Sequence, residues 1–314
     1  MIKYILKRIV LCVLVVAAAA VIIFSIMYFV PGDPAEIMLG SDATLEMIEA
    51  KREELGLNDP YLVRLGRFLY DTFIRFDLGT SYTYKLPVIQ ELLARFPRTV
   101  ALGVSCVVLS TIISLPLGIW AALNNGKMAD YICMIIAMIA ASVPNFWFAL
   151  MLVILFSVKL GLLPSFGIGG IEYYIMPVMA GSLATIGGLS RQTRSGMLDV
   201  IKSDFITTAR AKGLPEKSVV LKHMLPNALI PVITVIGGQF GRCIGGTIVI
   251  EQIFSIPGIG TYMLNAINSR DYPIVQGGVI LLAATTSIIM LLTDLVYAWV
   301  DPRIKAQYIG KGGR

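Results

Sequence analysis

The residues able to do chemistry in this chain are few. Its single histidine, His223, cannot by itself build a histidine-based metal site. Cys12, Cys106, Cys133 and Cys243 sit inside apolar runs, without Cys-x-x-Cys spacing or a neighbouring histidine. They read as small buried hydrophobes rather than disulfides or metal ligands. A phosphate cradle needs Gly-x-x-x-x-Gly-Lys and then Ser or Thr, so that backbone amides and the lysine hold the phosphates. The nearest fragment, Gly126-Lys127-Met128, lacks the hydroxyl residue and follows an apolar run where a strand is required. Intramembrane hydrolysis would need His-Glu-x-x-His or an acid pair within the apolar runs, and one deeply placed acid, Asp294, leaves little to work with. The chain is therefore expected to be non-catalytic, with no metal and no cofactor of its own.

Two charges inside apolar runs remain. Arg242 falls about 14 residues into the fifth run, roughly 21 Å from its start and near the midplane of a bilayer. A midplane arginine is costly and faces a cavity or a partner. It would either meet a carboxylate on a translocated solute, or bridge to helix carbonyls or to an acid on a second subunit. Asp294 lies about five residues from the end of the sixth run, roughly 7 Å deep. The vertical gap of about 14 Å argues against its pairing with Arg242, and it reads as structural.

The composition says what surrounds these residues. The chain is 56% hydrophobic and 15% charged, with a mean hydropathy of +0.78, whereas soluble domains carry about 25% charged residues. A lipid bilayer is the expected solvent. The net charge of +6 does not indicate nucleic acid, because the basic residues gather at the ends of apolar runs, where orientation in a membrane is decided. The methionines are scattered through the apolar runs and read as core packing.

A membrane helix needs about 20 apolar residues. Six runs are candidates: Ile9–Val30, Thr99–Leu123, Tyr131–Val158, Tyr174–Leu189, Ala228–Ile250 and Gly277–Val300. The first is too long for the apolar core of a secretory signal and is read as a retained helix. The fourth is short and rich in Gly, Ser and Thr, which suits a helix buried among others. Pro116 and Pro144 are expected to kink the second and third. Lys3, Lys7, Arg8, Lys127, the basic stretch from Arg191 to Lys222, and Arg303, Lys305, Lys311 and Arg314 fall on one side. The loop from Gly161 to Tyr173 has no Lys or Arg, and that from Glu251 to Gln276 has only Arg270. Both termini are thus expected in the cytosol. Glu251 and Arg270-Asp271 flank the second outer loop, to be either solvated or in contact with an external protein.

The resulting division is a tail and first helix (1–30), an extracytoplasmic helical segment (31–97), a five-helix core (98–300) and a cytosolic tail (301–314). Within the outer segment, Thr44 to Leu55 reads as a helix ended by Gly56. Loops of this length without a task are uncommon, so the segment is expected to meet another molecule. A cytosolic loop at 191–226 reads as two short helices joined by a turn. Gly213 is the stop of the first and Pro215 lies just beyond. Glu216 sits in the first turn of the second, where negative charge suits the dipole.

That loop resembles the coupling loop of ABC importer permeases, which reads roughly Glu-Ala-Ala, three residues, Gly, nine residues, Ile-x-Leu-Pro. Ala209, Gly213, Leu225 and Pro226 match; Thr207, Thr208 and His223 depart from it. Thr208-Ala209-Arg210-Ala211-Lys212-Gly213 is similar to the dipeptide, oligopeptide and nickel permease family in particular. So, in order along the chain, are Pro31-Gly32-Asp33-Pro34, Leu55-Gly56-Leu57-Asn58-Asp59-Pro60, Phe76-Asp77-Leu78-Gly79-Thr80-Ser81 and Gly245-Gly246-Thr247-Ile248-Val249-Ile250-Glu251. Pro257-Gly258-Ile259-Gly260, Arg270-Asp271-Tyr272-Pro273 and Asp301-Pro302-Arg303 continue the series.

The resemblance implies an all-α membrane protein of six transmembrane helices, with type I ABC importer architecture and both termini cytosolic. It implies the bacterial or archaeal cytoplasmic membrane and a second, homologous permease subunit. It also implies two cytosolic ATPase subunits that bind the ATP, and an extracytoplasmic solute-binding protein. Ala209, Arg210, Ala211, Lys212, Gly213, Leu225 and Pro226 would form the coupling element, and Arg242 would line the path. The implied solute is a small peptide; nickel or another metal chelate, and glutathione, are the alternatives. A stand-alone channel would have no use for the coupling loop.

Overall fold

The computed structural model describes residues 2–40 and 42–300. Arg303, Lys305, Lys311, Arg314 and the stretch Asp301-Pro302-Arg303 lie outside the described residues. The chain opens with α1 (Ile2–Phe29), whose helix takes in the basic residues ahead of the expected first span. Three short helices follow, α2 (Pro34–Leu39), α3 (Leu45–Glu54) and α4 (Tyr61–Phe73). Thr44 caps α3 by accepting from the Met47 N–H, and Gly56, at φ +63°, turns the chain after it. That agrees with the sequence reading of this stretch.

The second run is longer than its apolar part. Helix α5 (Val88–Leu123) starts 11 residues before Thr99 and continues through both Pro97 and Pro116. At 1.5 Å per residue it is roughly 54 Å long, and it spans the molecule from the α3–α4 end to the opposite one. The third run is broken instead of kinked. Helix α6 (Met128–Ser142) gives way at Val143-Pro144 to α7 (Asn145–Leu152), which continues as a wider turn over Val153–Lys159. The two parts meet at 97°. Proline lacks the N–H that would continue the ladder, and it pushes Val143 into an extended conformation.

Helix α8 (Glu172–Ile201) extends the expected fourth run by 12 residues at its far end. It packs against α5, α6, α7 and α11. Then come α9 (Asp204–Ala211), the short α10 (Glu216–Ser218) with a wide turn over Val219–Met224, and α11 (Leu225–Gly246), which bends by 52° near Pro231. The fifth run therefore ends at Thr247, and its last residues form α12 (Ile248–Ile253). Helices α13 (Ile259–Asn268) and α14 (Tyr272–Val300) complete the chain.

Among the described residues, three helices are long and apolar enough to cross a membrane: Leu6–Phe29, Val88–Leu123 and Tyr272–Val296. The number rises to five if each bent pair counts as one span. This is a multi-pass membrane protein. Helix α8 is less apolar than these spans because Gly181, Ser182, Gly187, Gly188 and Ser190 replace the large residues that lipid contact would favour.

Apolar packing gathers at three levels. At the α3–α4 end, Met27, Val88, Leu92, Ile259, Tyr262 and Ile274 join α1, α5, α13 and α14. Midway, Leu102, Ala149, Met176, Ala180 and Phe254 join α5, α7, α8 and the α12 exit. At the opposite end Ala122, Met197, Ile206, Val219, Met224 and Ala228 set α9 and its wide turn against the bundle.

Candidate functional site

The α9 loop is built as a buried underside and an exposed crest. Ile206 and Ala209 are three residues apart, on one face of α9, and both are buried with Val219 and Met224. Burying a side chain of Ile, Val or Met size stabilises by roughly 1.5–3 kcal/mol, so this underside fixes the loop to α8 and α11. Above it every residue from Arg210 to Lys217 is exposed. Gly213 turns the crest at φ +75° with its N–H donating to the Arg210 carbonyl. Arg210 is held across the turn: its Nε and Nη2 donate to the two carboxylate oxygens of Glu216 at 3.1 and 2.6 Å. Phe205, Leu214 and Leu221 are exposed beside it. Ala209, expected in the coupling element, thus belongs to the underside. Arg210, Ala211, Lys212 and Gly213 belong to the crest, while Leu225 is half-buried and Pro226 exposed where α11 begins. His223 is half-buried, and its carbonyl accepts from the Asn227 side chain.

A second feature ties this end to the interior. Asp130 of α6 is 2% exposed. Arg194 of α8 donates to both its carboxylate oxygens at 2.6 Å, and the Gly126 N–H donates to one of them at 3.0 Å. The fork of a guanidinium matches both oxygens at once, which a lysine cannot do. Sequence reading counted Arg194 among the orientation charges and passed over Asp130. The signal was available: an acid in the first turn of a helix just after the Gly126 turn.

Arg242 of α11 is exposed on this chain rather than buried among apolar side chains. It lies with Asn145, Gln239, Thr185, Cys106 and Cys243 around a cavity of about 110 Å³, midway along α5 and α8. No carboxylate pairs with Arg242 among the described residues. Asp294 instead takes Arg8 of α1, with Nη1 to Oδ2 at 2.8 Å, as the depth argument against an Arg242 partner required. Asn145 sits in the pocket because the chain breaks at Pro144, a consequence that a kink alone did not foretell.

At the α3–α4 end two acids expected at the surface are fully buried. Glu251 is 0% exposed: its Oε1 accepts from the Thr99 and Thr247 hydroxyls at 2.8 and 3.2 Å, and its Oε2 from the Thr261 N–H at 3.1 Å. Thr99 in turn accepts from the Ile259 N–H at 2.9 Å. Gly258 and Gly260 press against the carboxylate, and a Cβ at either would overlap it. Asp271 is also 0% exposed; its Oδ2 accepts from the Ser81 hydroxyl at 2.6 Å and the Thr83 N–H at 2.9 Å. Burial, and then the nearby Asp271 charge, push the Tyr82 phenol up to about 12. Both expectations of solvation or external contact are corrected: these carboxylates are turned inward because unpaired loop N–H and hydroxyl groups need acceptors there. Arg270 folds over Gly32, and the Tyr272 hydroxyl donates to the Gly32 carbonyl at 3.3 Å.

Short stretches therefore meet in pairs, 245–251 with the nearby 257–260, and, from far apart in the chain, 76–81 with 270–273 and 31–34 with 270–272. A sequence profile of the binding-protein-dependent transport system inner membrane component matches residues 114–306, and the N-terminal profile of the same kind matches residues 1–103. The chain belongs to that family. This inner membrane component is 38% identical, over 333 aligned positions, to a dipeptide transport system permease protein of Alkalihalophilus pseudofirmus, covering 97% of this chain and 100% of that one. It is 36% identical over 305 positions to a glutathione transport system permease protein of Salmonella paratyphi A, covering 97% and 99%. Its fold is similar to that of the MetNI methionine ABC transporter in inward-facing conformations, with a TM-score of 0.59 at 17% identity, covering 68% of this chain and 97% of that one.

Proposed function

We propose that this inner membrane component is one permease subunit of an ABC importer for small peptides, delivered by an external binding protein. In this reading α8 completes a set of six spans with both termini cytosolic, in the cytoplasmic membrane of a bacterium. A homologous permease subunit encloses the path with it. Two cytosolic ATPase subunits bind the ATP, and this chain supplies no catalytic group or cofactor.

The α9 loop carries the proposal. An exposed crest on a buried underside is what helix-in-groove recognition requires, and an ATPase groove would receive Phe205, Leu214 and Lys212, with Arg210 held in place by Glu216. Ala209, Gly213, Leu225 and Pro226 set the angle of the crest to α8 and α11. Movement of the ATPases would then pass along α8 and α11 to the wall of the Arg242 cavity. The peptide assignment rests on relatives named for dipeptides. Glutathione is the second reading, favoured by the relative named for it; a nickel chelate is the third.

The deciding experiment is ATP hydrolysis by the reconstituted complex with its binding protein, across dipeptides, oligopeptides, glutathione and nickel chelates. Stimulation by peptides is expected. Stimulation confined to nickel chelates would overturn the peptide assignment and keep the architecture.

A further inference from the structure

The break between α6 and α7 opens on the Arg242 cavity. Helix α7 begins there at Asn145, behind Pro144, and no side chain caps it. The first N–H groups of an uncapped helix lack intrahelical acceptors, and together they present partial positive charge. Arg242, unpaired among the described residues, faces the same space, with the Gln239 amide and the Thr185 hydroxyl beside it. Thr247 also lines the cavity but donates to Glu251, which is not one of the walls. One group has the opposite need: the Oδ1 of Asn145 is buried and accepts no hydrogen bond.

These walls ask for an anionic acceptor with an N–H donor close beside it. A peptide C-terminus has both, the carboxylate and the last amide separated by a single Cα. A volume of about 110 Å³ admits one such chain end and excludes a whole peptide. We propose that the Arg242 cavity is a carboxylate subsite, in which Arg242 and the α7 N-terminus hold the C-terminus of a solute while Asn145 accepts its last amide N–H. The proposal deepens the importer reading and rests on it for the solute. Broken helices whose half-helix N-termini face anionic substrate groups are a recurrent device of secondary transporters, and the same electrostatics applies here.

Cys243 lines the cavity and is half-buried, so its modification reports occupancy without any transport. The purified complex is treated with a methanethiosulfonate reagent, and labelling at Cys243 is followed by peptide mapping. N-acetylglycine and N-acetylglycinamide serve as probes, the second lacking only the charge. The acid should protect with an apparent dissociation constant about fivefold or more below that of the amide, equivalent to roughly 1 kcal/mol of preference. Arg242→Gln should remove the difference and Arg242→Lys should keep part of it. Equal protection by acid and amide, no protection by either, or a difference that survives Arg242→Gln would each overturn the subsite. Peptide uptake is measured separately. Acid-specific protection in a complex that takes up no peptide would refute the peptide reading and leave the carboxylate subsite standing.

Discussion

Replacing Glu251 tests whether the paired stretches at the α3–α4 end form one load-sharing unit. Its carboxylate accepts from Thr99, Thr247 and Thr261 with no exposure to solvent. Hydrogen bonds to a charged acceptor contribute about 1.5–3 kcal/mol each net, and a buried donor left without a partner costs about 1–3 kcal/mol. The three losses overlap, because Thr99 and Thr247 can turn to other acceptors while the Thr261 N–H cannot. Glu251→Ala should therefore cost about 3–5 kcal/mol, the range found when a buried charged network is broken. Glu251→Gln keeps one oxygen for the two hydroxyls but sets an amide N–H against that of Thr261, at about 1–3 kcal/mol. At about 2–4 °C per kcal/mol, thermal melting in detergent should fall by about 6 °C or more for Ala and by less for Gln. The reasoning has a sharper consequence at Gly258. A Cβ there overlaps the carboxylate, so Gly258→Ala should destabilise the wild type by about 1–3 kcal/mol, the usual cost of overpacking. In the Glu251→Ala background the space is open and that cost should nearly vanish. Additivity of the two changes within about 0.5 kcal/mol would refute the account.

Three further outcomes follow from single contacts. Gly213 turns the crest at φ +75° with nothing within 4 Å of where a Cβ would be, so Gly213→Ala pays only backbone strain of about 1 kcal/mol; Gly213→Asn, which tolerates that region better, should retain more solute-stimulated ATP hydrolysis. The reverse order would refute the turn argument. Asp271→Ala removes the anchor of Ser81 and Thr83 and should raise proteolytic cleavage of the 76–87 loop by about tenfold, equivalent to 1.4 kcal/mol; unchanged cleavage counts against the anchor. Arg194→Lys keeps the charge but cannot span both oxygens of Asp130, so melting should drop by about 2–8 °C, for a loss of about 1–2 kcal/mol. A melt equal to wild type would show the fork to be dispensable.

Much of this was legible in the chain because it depends on local chemistry. Thr44 and Gly56 bound α3 as read, and Gly213, Pro215 and Glu216 shape the crest as read, since caps and turns are set by neighbours in sequence. The depth of Asp294 correctly separated it from Arg242. Its actual partner, Arg8, lies on α1 and no local rule points to it. Glu251 and Asp271 were misread because an acid beside a loop looks solvated. What buries them is a set of donors, Thr99 and Ser81, more than 150 residues away in sequence. Only tertiary structure brings such groups together. The break at Pro144 was half legible: proline announced a defect, but whether a helix bends or breaks depends on what receives the freed groups.

The same consideration explains why α8 was the faintest span and yet sits against more of the bundle than any apolar helix. A Cβ on Gly187 would collide with the backbone of Ala137 and Ala141 on α6. Gly118 of α5 meets the Ser190 carbonyl and Thr193, both at 2.6 Å from where its Cβ would be. Gly181 touches Cys106, and Gly196 lies at 3.0 Å, on the same measure, from the Ala228 carbonyl of α11. Each close approach requires a small residue, and each small residue lowers the hydropathy of the run. Low apolarity and central position are thus one fact seen from two sides. Helix α8 can link the Thr185 wall of the cavity to Arg194 and the α9 loop because it gave up lipid-facing bulk for contact with its neighbours' backbones.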